Sequence, residues 1–146
     1  MPTFVIYFIT VMISGKFAIT IHILTLLSKF PGEYLASDFI ASSLNMNPVL
    51  VRKEIANLKK NGLAESREGK NGGTRLAKSA EAITLEDAFR ASFGNMHLGF
   101  SKNEPCPKCP VGKNINVHLE SLYTDINSSI SKKLGGISLS EFAGQF

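Results

Sequence analysis

The chain has 146 residues, 44% of them hydrophobic and 19% charged, with two cysteines and a formal net charge of +4. That length and composition suit one folded domain with an appendage, and they exclude a disordered chain and a disulfide-stapled secreted scaffold. The excess charge is local: residues 52–78 hold eight of the 16 basic side chains (Arg52, Lys53, Lys59, Lys60, Arg67, Lys70, Arg75, Lys78) against three acids, Glu54, Glu65 and Glu68, which points to a polyanion-binding face.

The first segment, MPTFVIYFITVMI, is apolar but lacks a basic leader region. Its uninterrupted run stops at Ser14-Gly15-Lys16, short of the roughly 20 residues that a membrane span needs. Residues 1–11 are therefore read as an N-terminal extension, with Met12 an alternative start. The protein is expected to be cytoplasmic, with no membrane partner. A tethered sensor using residues 1–27 is the competing reading.

A helix is expected from about Gly15 to Ser28, stopped by Pro31 and Gly32. Ser37 reads as the N-cap of a short helix, DFIASSL, whose apolar face is Phe39, Ile40 and Leu44. After the turn LNMN, Asn47 caps a second helix, PVLVRKEIANLKKN, with Pro48 at its first position. Val51, Ile55 and Leu58 recur at i, i+4, i+7 on its buried stripe, and Gly62 closes it. Two short helices joined by a tight turn form a helix-turn-helix. Leu63 to Ser66 and Thr74 to Ala77 then read as strands around a Gly- and Asn-rich turn, a basic hairpin that completes a winged helix.

Further on, AITLEDAFRA reads as a helix capped by Thr84, with Leu85, Ala88 and Phe89 inward. Residues 94–113 lack periodicity and read as a long loop. A long helix follows from about Asn114 to Leu134, with Ile115, Leu119, Leu122, Ile126 and Ile130 in a continuous apolar seam, and a tail, ISLSEFAGQF, comes last. Such a seam needs a partner, so a homodimer is expected. The fold class is mainly α with a small β-hairpin wing: a winged helix-turn-helix domain plus a long C-terminal dimerisation helix. Its divisions are 1–11 (extension), 12–92 (DNA-binding domain), 93–113 (sensor-type loop) and 114–146 (dimerisation helix and tail).

No hydrolase triad, paired-carboxylate site or phosphate-cradling loop is recognisable, so no enzyme is expected; REGKNGGTRL has neither nucleotide-loop spacing. With Val51, Ile55 and Leu58 inward, helical spacing turns Val49, Lys53, Ala56 and Lys60 outward, with Arg52 to one side. Asn47, Pro48, Val49, Arg52 and Lys53 occupy the first turns, the part of a recognition helix that meets base edges. Asn and Arg suit bidentate readout of adenine and guanine, and a Val methyl meets a thymine methyl. Lys60 is placed on phosphate. In the hairpin, Arg67, Lys70, Asn71, Gly72, Gly73 and Arg75 suit the minor groove or the backbone. The competing reading is a winged-helix protein-interaction module whose basic face is incidental.

The stretch from FIASSLNMNPVLVRKEIANLKK through AITLEDAFRA resembles the Rrf-type winged-helix regulators, the group that includes IscR, NsrR and CymR. That group's wing carries an Arg and Gly, a double Gly, an aromatic and then Leu-Ala. REGKNGGTRLA is similar, with Thr74 in place of the aromatic and Glu68 between Arg67 and Gly69. The resemblance spans roughly residues 12–142, and NPVLVRK and PKCPVGK look closest to YwnA-like members. It implies a dimeric transcriptional regulator, usually a repressor, that reads a palindromic operator in double-stranded DNA.

Both cysteines lie in PCPKCPVG, as Cys106 and Cys109. Cluster-binding members of the group carry three cysteines before the dimer helix plus a fourth ligand, and only Cys109 sits where the last of these would be. An iron–sulfur cluster takes four ligands, and neither His97, Glu104 nor His118 stands at ligand spacing, so no cofactor is expected. A cluster-binding redox sensor and a zinc site of two Cys-x-x-Cys pairs across a dimer are the alternatives. A thiol switch at Cys106 and Cys109 is preferred, with Lys108, Lys113 and the following helix favouring the thiolate. A small ligand held between wing domain and dimer helix is the other means of control.

Overall fold

The computed structural model describes residues 2–93 and 98–146, residues 2–14 by their backbone alone. Helix α1 runs Pro2–Ser28, so the helix expected from Gly15 begins much earlier. A lone glycine inside a helix costs only about 1 kcal/mol and does not end it. Ile23, Leu24 and Leu27 of α1 are fully buried and form the centre of the core. Among the described residues, no helix is long and apolar enough to cross a membrane.

Helix α2 spans Ser37–Leu44. Ala36, not Ser37, is its N-cap and offers no side-chain bond; Ser37 is already the first helical residue. Ile40 is buried, but Phe39 is turned out, 45% exposed and edge-on to Phe30 at 5.7 Å. The apolar face of so short a helix is narrow, and the adjacent Ile40 and Ala41 fill it. Asn45 turns the chain in the left-handed region (φ 51°). Asn47 then caps α3, Pro48–Lys60, its side chain accepting the Val49 N–H. Val51, Ile55 and Leu58 are buried as the spacing requires.

Strands β1 (Ala64–Arg67) and β2 (Gly73–Leu76) pair antiparallel with Ala64 opposite Leu76 and Arg67 opposite Gly73. The hairpin is joined to the body by a third short stretch: Leu35 and Thr74 exchange both backbone hydrogen bonds at 2.8 Å. Helix α4, Leu85–Phe93, opens with a reciprocal cap in which Thr84 Oγ1 accepts the Asp87 N–H while Asp87 Oδ2 accepts the Thr84 N–H. Leu85 and Ala88 are buried, and Phe89 is half-buried, stacked edge-on with Phe17 and Phe93.

Helix α5 spans Pro110–Gly135. It starts at Pro110 rather than near Asn114 because Cys109 adopts the extended N-cap conformation and proline is favoured at the first helical position. The tail is tied to the body by backbone bonds. Leu139 N–H bonds the Ile83 carbonyl at 2.7 Å and Leu85 N–H bonds that of Ile137 at 2.9 Å. Helix α6, Leu139–Ala143, then packs on α1, with Leu139 fully buried. Five residues are too few to show a helical period, which is why the sequence did not disclose this packing.

Candidate nucleic-acid interface and thiol loop

Helix α3 is held against the body by its buried stripe and by Asn57, whose Nδ2 donates to the Ala91 carbonyl at 2.6 Å. Its opposite side is open. Val49 (66% exposed), Leu50, Arg52, Lys53, Ala56 and Lys60 all face outward. Asn47 lies at the same end, exposed, with Oδ1 engaged by the Val49 N–H at 2.8 Å. A bidentate contact to adenine would compete with that cap, leaving the amide donors as the group free to reach out. Pro48 is half-buried, fixing the first turn. Arg52 makes a long, exposed contact of 3.4 Å with Asp38 of α2, an ion pair too weak to hold the guanidinium from another partner.

In the hairpin, Lys70 and Asn71 are exposed at the turn. Arg67 donates to the Asn71 carbonyl at 2.7 Å, closing the turn on itself. Gly72 and Gly73 are required by close packing. A Cβ on Gly72 would meet the Arg67 carbonyl oxygen at 2.2 Å, and one on Gly73 (φ +153°) would meet the Leu35 carbonyl oxygen at 2.5 Å. Arg75 is the most constrained of the basic residues. Its Nε donates to Glu65 at 2.5 Å and Nη1 approaches the Gly32 carbonyl at 3.4 Å. The bond to Glu65 raises the Arg75 pKa further above its ordinary value. The Arg67 and Arg75 guanidinium carbons lie 4.3 and 4.4 Å from the centre of the Tyr34 ring. Tyr34 escaped sequence reading because nothing in GEYLA marks a residue that reaches the hairpin.

The two elements flank one groove of about 710 Å³, with Arg52, Ala56 and Lys59 on the α3 side and Arg67, Gly69 and Gly72 on the hairpin side. The groove thus brings Arg52 and Lys59 of α3 beside Arg67 of the hairpin.

The apolar seam of α5 lies open in a single chain. No residue of α5 is buried; Ile115 and Leu122 are exposed, while Leu119, Ile126 and Ile130 are half-covered. The preceding loop folds back on this helix where Tyr123 Oη donates to the Gly99 carbonyl at 2.9 Å and its ring meets Phe100 at 5.5 Å.

Cys106 and Cys109 are free and exposed. The Cys109 N–H bonds the Cys106 carbonyl at 3.3 Å, making CPKC a tight turn onto α5. Gly112 closes this knuckle, since a Cβ there would lie 2.4 Å from the Cys106 oxygen. The backbone N–H groups of Gly112 and Val111 lower the pKa of the Cys109 thiol from its ordinary value. Among the described residues, no group of three or more His, Cys, Asp or Glu side chains is placed to hold a metal ion. Glu104 and His118 do not complete the two thiols, and His97 lies outside the described residues.

Compared with known proteins, residues 13–145 match the family model described as "Rrf2: Iron-dependent Transcriptional regulator". The chain is 37% identical over 130 residues to YwnA of Bacillus subtilis (strain 168), an HTH-type transcriptional regulator by name; the alignment covers 89% of this chain and 96% of that one. It is similar in structure to a protein described as DNA-binding (35% identity, TM-score 0.69, covering 87% of this chain and 97% of the other). It also shares the fold of CymR (YrzC), the global cysteine regulator of B. subtilis (22% identity, TM-score 0.68, 90% and 95% covered).

Proposed function

The chain belongs to the Rrf2 family of transcriptional regulators, and on that footing we propose that it is a homodimeric repressor of the cytoplasm that reads a palindromic operator in double-stranded DNA. Residues 12–92 form the DNA-binding unit, and α5 pairs two copies through Ile115, Leu119, Leu122, Ile126 and Ile130. The α3 face of Val49, Arg52 and Lys53, with the donors of Asn47, enters the major groove. Lys60, Lys70 and Arg67 of the hairpin take the backbone and flanking minor groove. The observation that carries this reading is the placement of α3 and the hairpin turn on one groove, lined by Arg52, Lys59 and Arg67.

Signal detection is assigned to the thiols. Cys106 and Cys109 do not supply the four protein ligands of an iron–sulfur cluster. The Cys109 thiolate, favoured at the start of α5, attacks the O–O bond of hydrogen peroxide. It becomes a sulfenic acid, and the released oxygen leaves as water after taking a proton. The Cys106 sulfur then displaces the sulfenic oxygen, also as water, and a Cys106–Cys109 disulfide forms. A crosslink at the first turn of α5 alters how the two copies are set apart, and with it the half-site spacing they fit.

Enrichment of duplexes from a random pool, followed by titration with competitor DNA across salt concentrations, tests the first part. A palindromic consensus bound with a steep salt dependence supports it, and retention indifferent to sequence overturns it. Lys53→Glu and Arg67→Glu should each abolish selective binding; if a protein partner captured by the wild type is still bound by both variants while DNA is ignored, the chain is an interaction module. Peroxide should change the affinity of the wild type and leave Cys109→Ser unaffected.

A further inference from the structure

The hairpin holds two arginines, and the surroundings of each are different. Arg75 is tied on three sides: to the Glu65 carboxylate on the opposite strand, to the Gly32 carbonyl and to the Tyr34 ring. Arg67, at the end of β1, has the ring and one bond to the Asn71 carbonyl of its own turn, and it is exposed. The ring itself is not free to wander. Tyr34 is half-buried, and the next residue, Leu35, exchanges two 2.8 Å backbone hydrogen bonds with Thr74 of β2.

The register explains how one ring serves both arginines. Glu65 and Arg67 lie two apart on β1, and Gly73 and Arg75 two apart on β2, so all four positions fall on one face of the hairpin. Gly73, opposite Arg67, contributes no side chain there, and a Cβ at that position would strike the Tyr34–Leu35 backbone at 2.5–2.8 Å. The absence of a side chain lets Tyr34 sit against the hairpin between the two arginines. An arginine on a short exposed hairpin otherwise samples many rotamers, and fixing it before binding removes that entropy loss from the binding step.

We propose that Tyr34 is a positioning residue for DNA binding: its ring, locked by Arg75 and Glu65, presets Arg67 as the one wing arginine delivered to the duplex. This inference rests on the DNA-binding reading above. Arg75 is then a strut, and its own charge is spent on Glu65. Tyr34 touches no DNA and acts only through Arg67.

The test is a double-mutant cycle in full-length protein on the duplex enriched by the wild type, with affinities measured over a range of salt. If the wild type enriches no sequence, the DNA reading itself fails and the cycle is not reached. If it does, Arg67→Ala and Tyr34→Leu should each weaken binding roughly tenfold and lower the salt slope by about one contact. The double variant should be no weaker than Arg67→Ala alone. Tyr34→Phe, which keeps the aromatic face, should restore affinity and slope relative to Tyr34→Leu. Additive losses in the double variant, or a Tyr34→Leu slope equal to that of the wild type, would overturn the proposal. So would a loss of affinity in Tyr34→Phe as large as that in Tyr34→Leu. A thermal melt of each variant accompanies the cycle; if Tyr34→Leu does not fold, the Phe variant and Arg67→Ala compared with Arg75→Ala decide the matter. Arg67→Ala must then reduce the salt slope more than Arg75→Ala does, and the reverse order overturns the assignment.

Discussion

Asn57, in the middle of α3, donates its side-chain amide to the main-chain oxygen of Ala91 in α4, 2.6 Å away. The bond links the helix proposed to carry the DNA face to the helix against which α5 packs. Replacing Asn57 with leucine leaves the Ala91 oxygen without its partner. Such a loss costs about 1–3 kcal/mol when the group is screened from water. The unfolding free energy of Asn57→Leu should fall by that amount, read as a lower denaturant midpoint at an unchanged slope, since the surface exposed on unfolding is the same.

Leu139 is fully buried although it lies in the last helix, a five-residue element near the C-terminal end. Leu139→Ala should destabilise the protein by roughly 2–5 kcal/mol, the range for a core leucine. An exposed tail residue such as Gln145→Ala should shift the melting temperature very little. Thermal melts of the two variants side by side check this.

Gly73 combines a positive φ with backbone packed where a side chain would begin. Gly73→Ala should cost about 1–3 kcal/mol from conformation alone, and more from the collision with Leu35. The readout is amide exchange at Leu35 and Thr74, whose paired N–H groups should lose protection ahead of the α1 core.

Leu122 is 51% exposed on α5, in the middle of the seam. If the seam joins two copies, Leu122→Glu places a pair of carboxylates in an apolar contact. Sedimentation should then show a monomer, with binding to a palindromic duplex reduced to that of a single half-site. An unchanged mass in solution would remove α5 from the dimer contact.

The lowered pKa of Cys109 carries a sign. An acid whose folded-state pKa lies below its unfolded value is ionised at a lower pH when folded. The preference for the folded state is therefore complete above the unfolded thiol value and disappears as pH falls through the folded one. At a pH just under the ordinary thiol range, iodoacetamide should label Cys109 faster in native protein than in urea. Peptide mass analysis reads the rate at that residue, and the difference should vanish well above the range.

Much of this molecule was legible because local chemistry and final packing agree. Asn47-Pro48 marked the start of α3, the i, i+4, i+7 spacing of Val51, Ile55 and Leu58 gave its buried side, and Thr84 gave the start of α4. The features that escaped depend on contacts between distant segments. Tyr34 meets Arg67 and Arg75 across the hairpin, and Asn57 reaches Ala91 on another helix. Leu139 is held by Ile83 through a backbone bond that carries no side-chain signature. Pro110 misled because the same proline that interrupts a loop also opens a helix, and only the extended backbone of Cys109 distinguishes the two.

The backbone exchange between Leu35 and Thr74 has a mechanical result. A hairpin standing alone has marginal stability in water, and a grip that had to fold on each encounter would lose affinity to that ordering. Here the segment leading into α2 serves as a third edge, so unpicking the hairpin also means unpairing residues next to the buried core. Helix α3 and the hairpin, the elements proposed to face DNA, therefore move as a single jaw. In the proposed dimer, two such jaws are adjusted by the hinge that separates them, α5 with its cysteine knuckle.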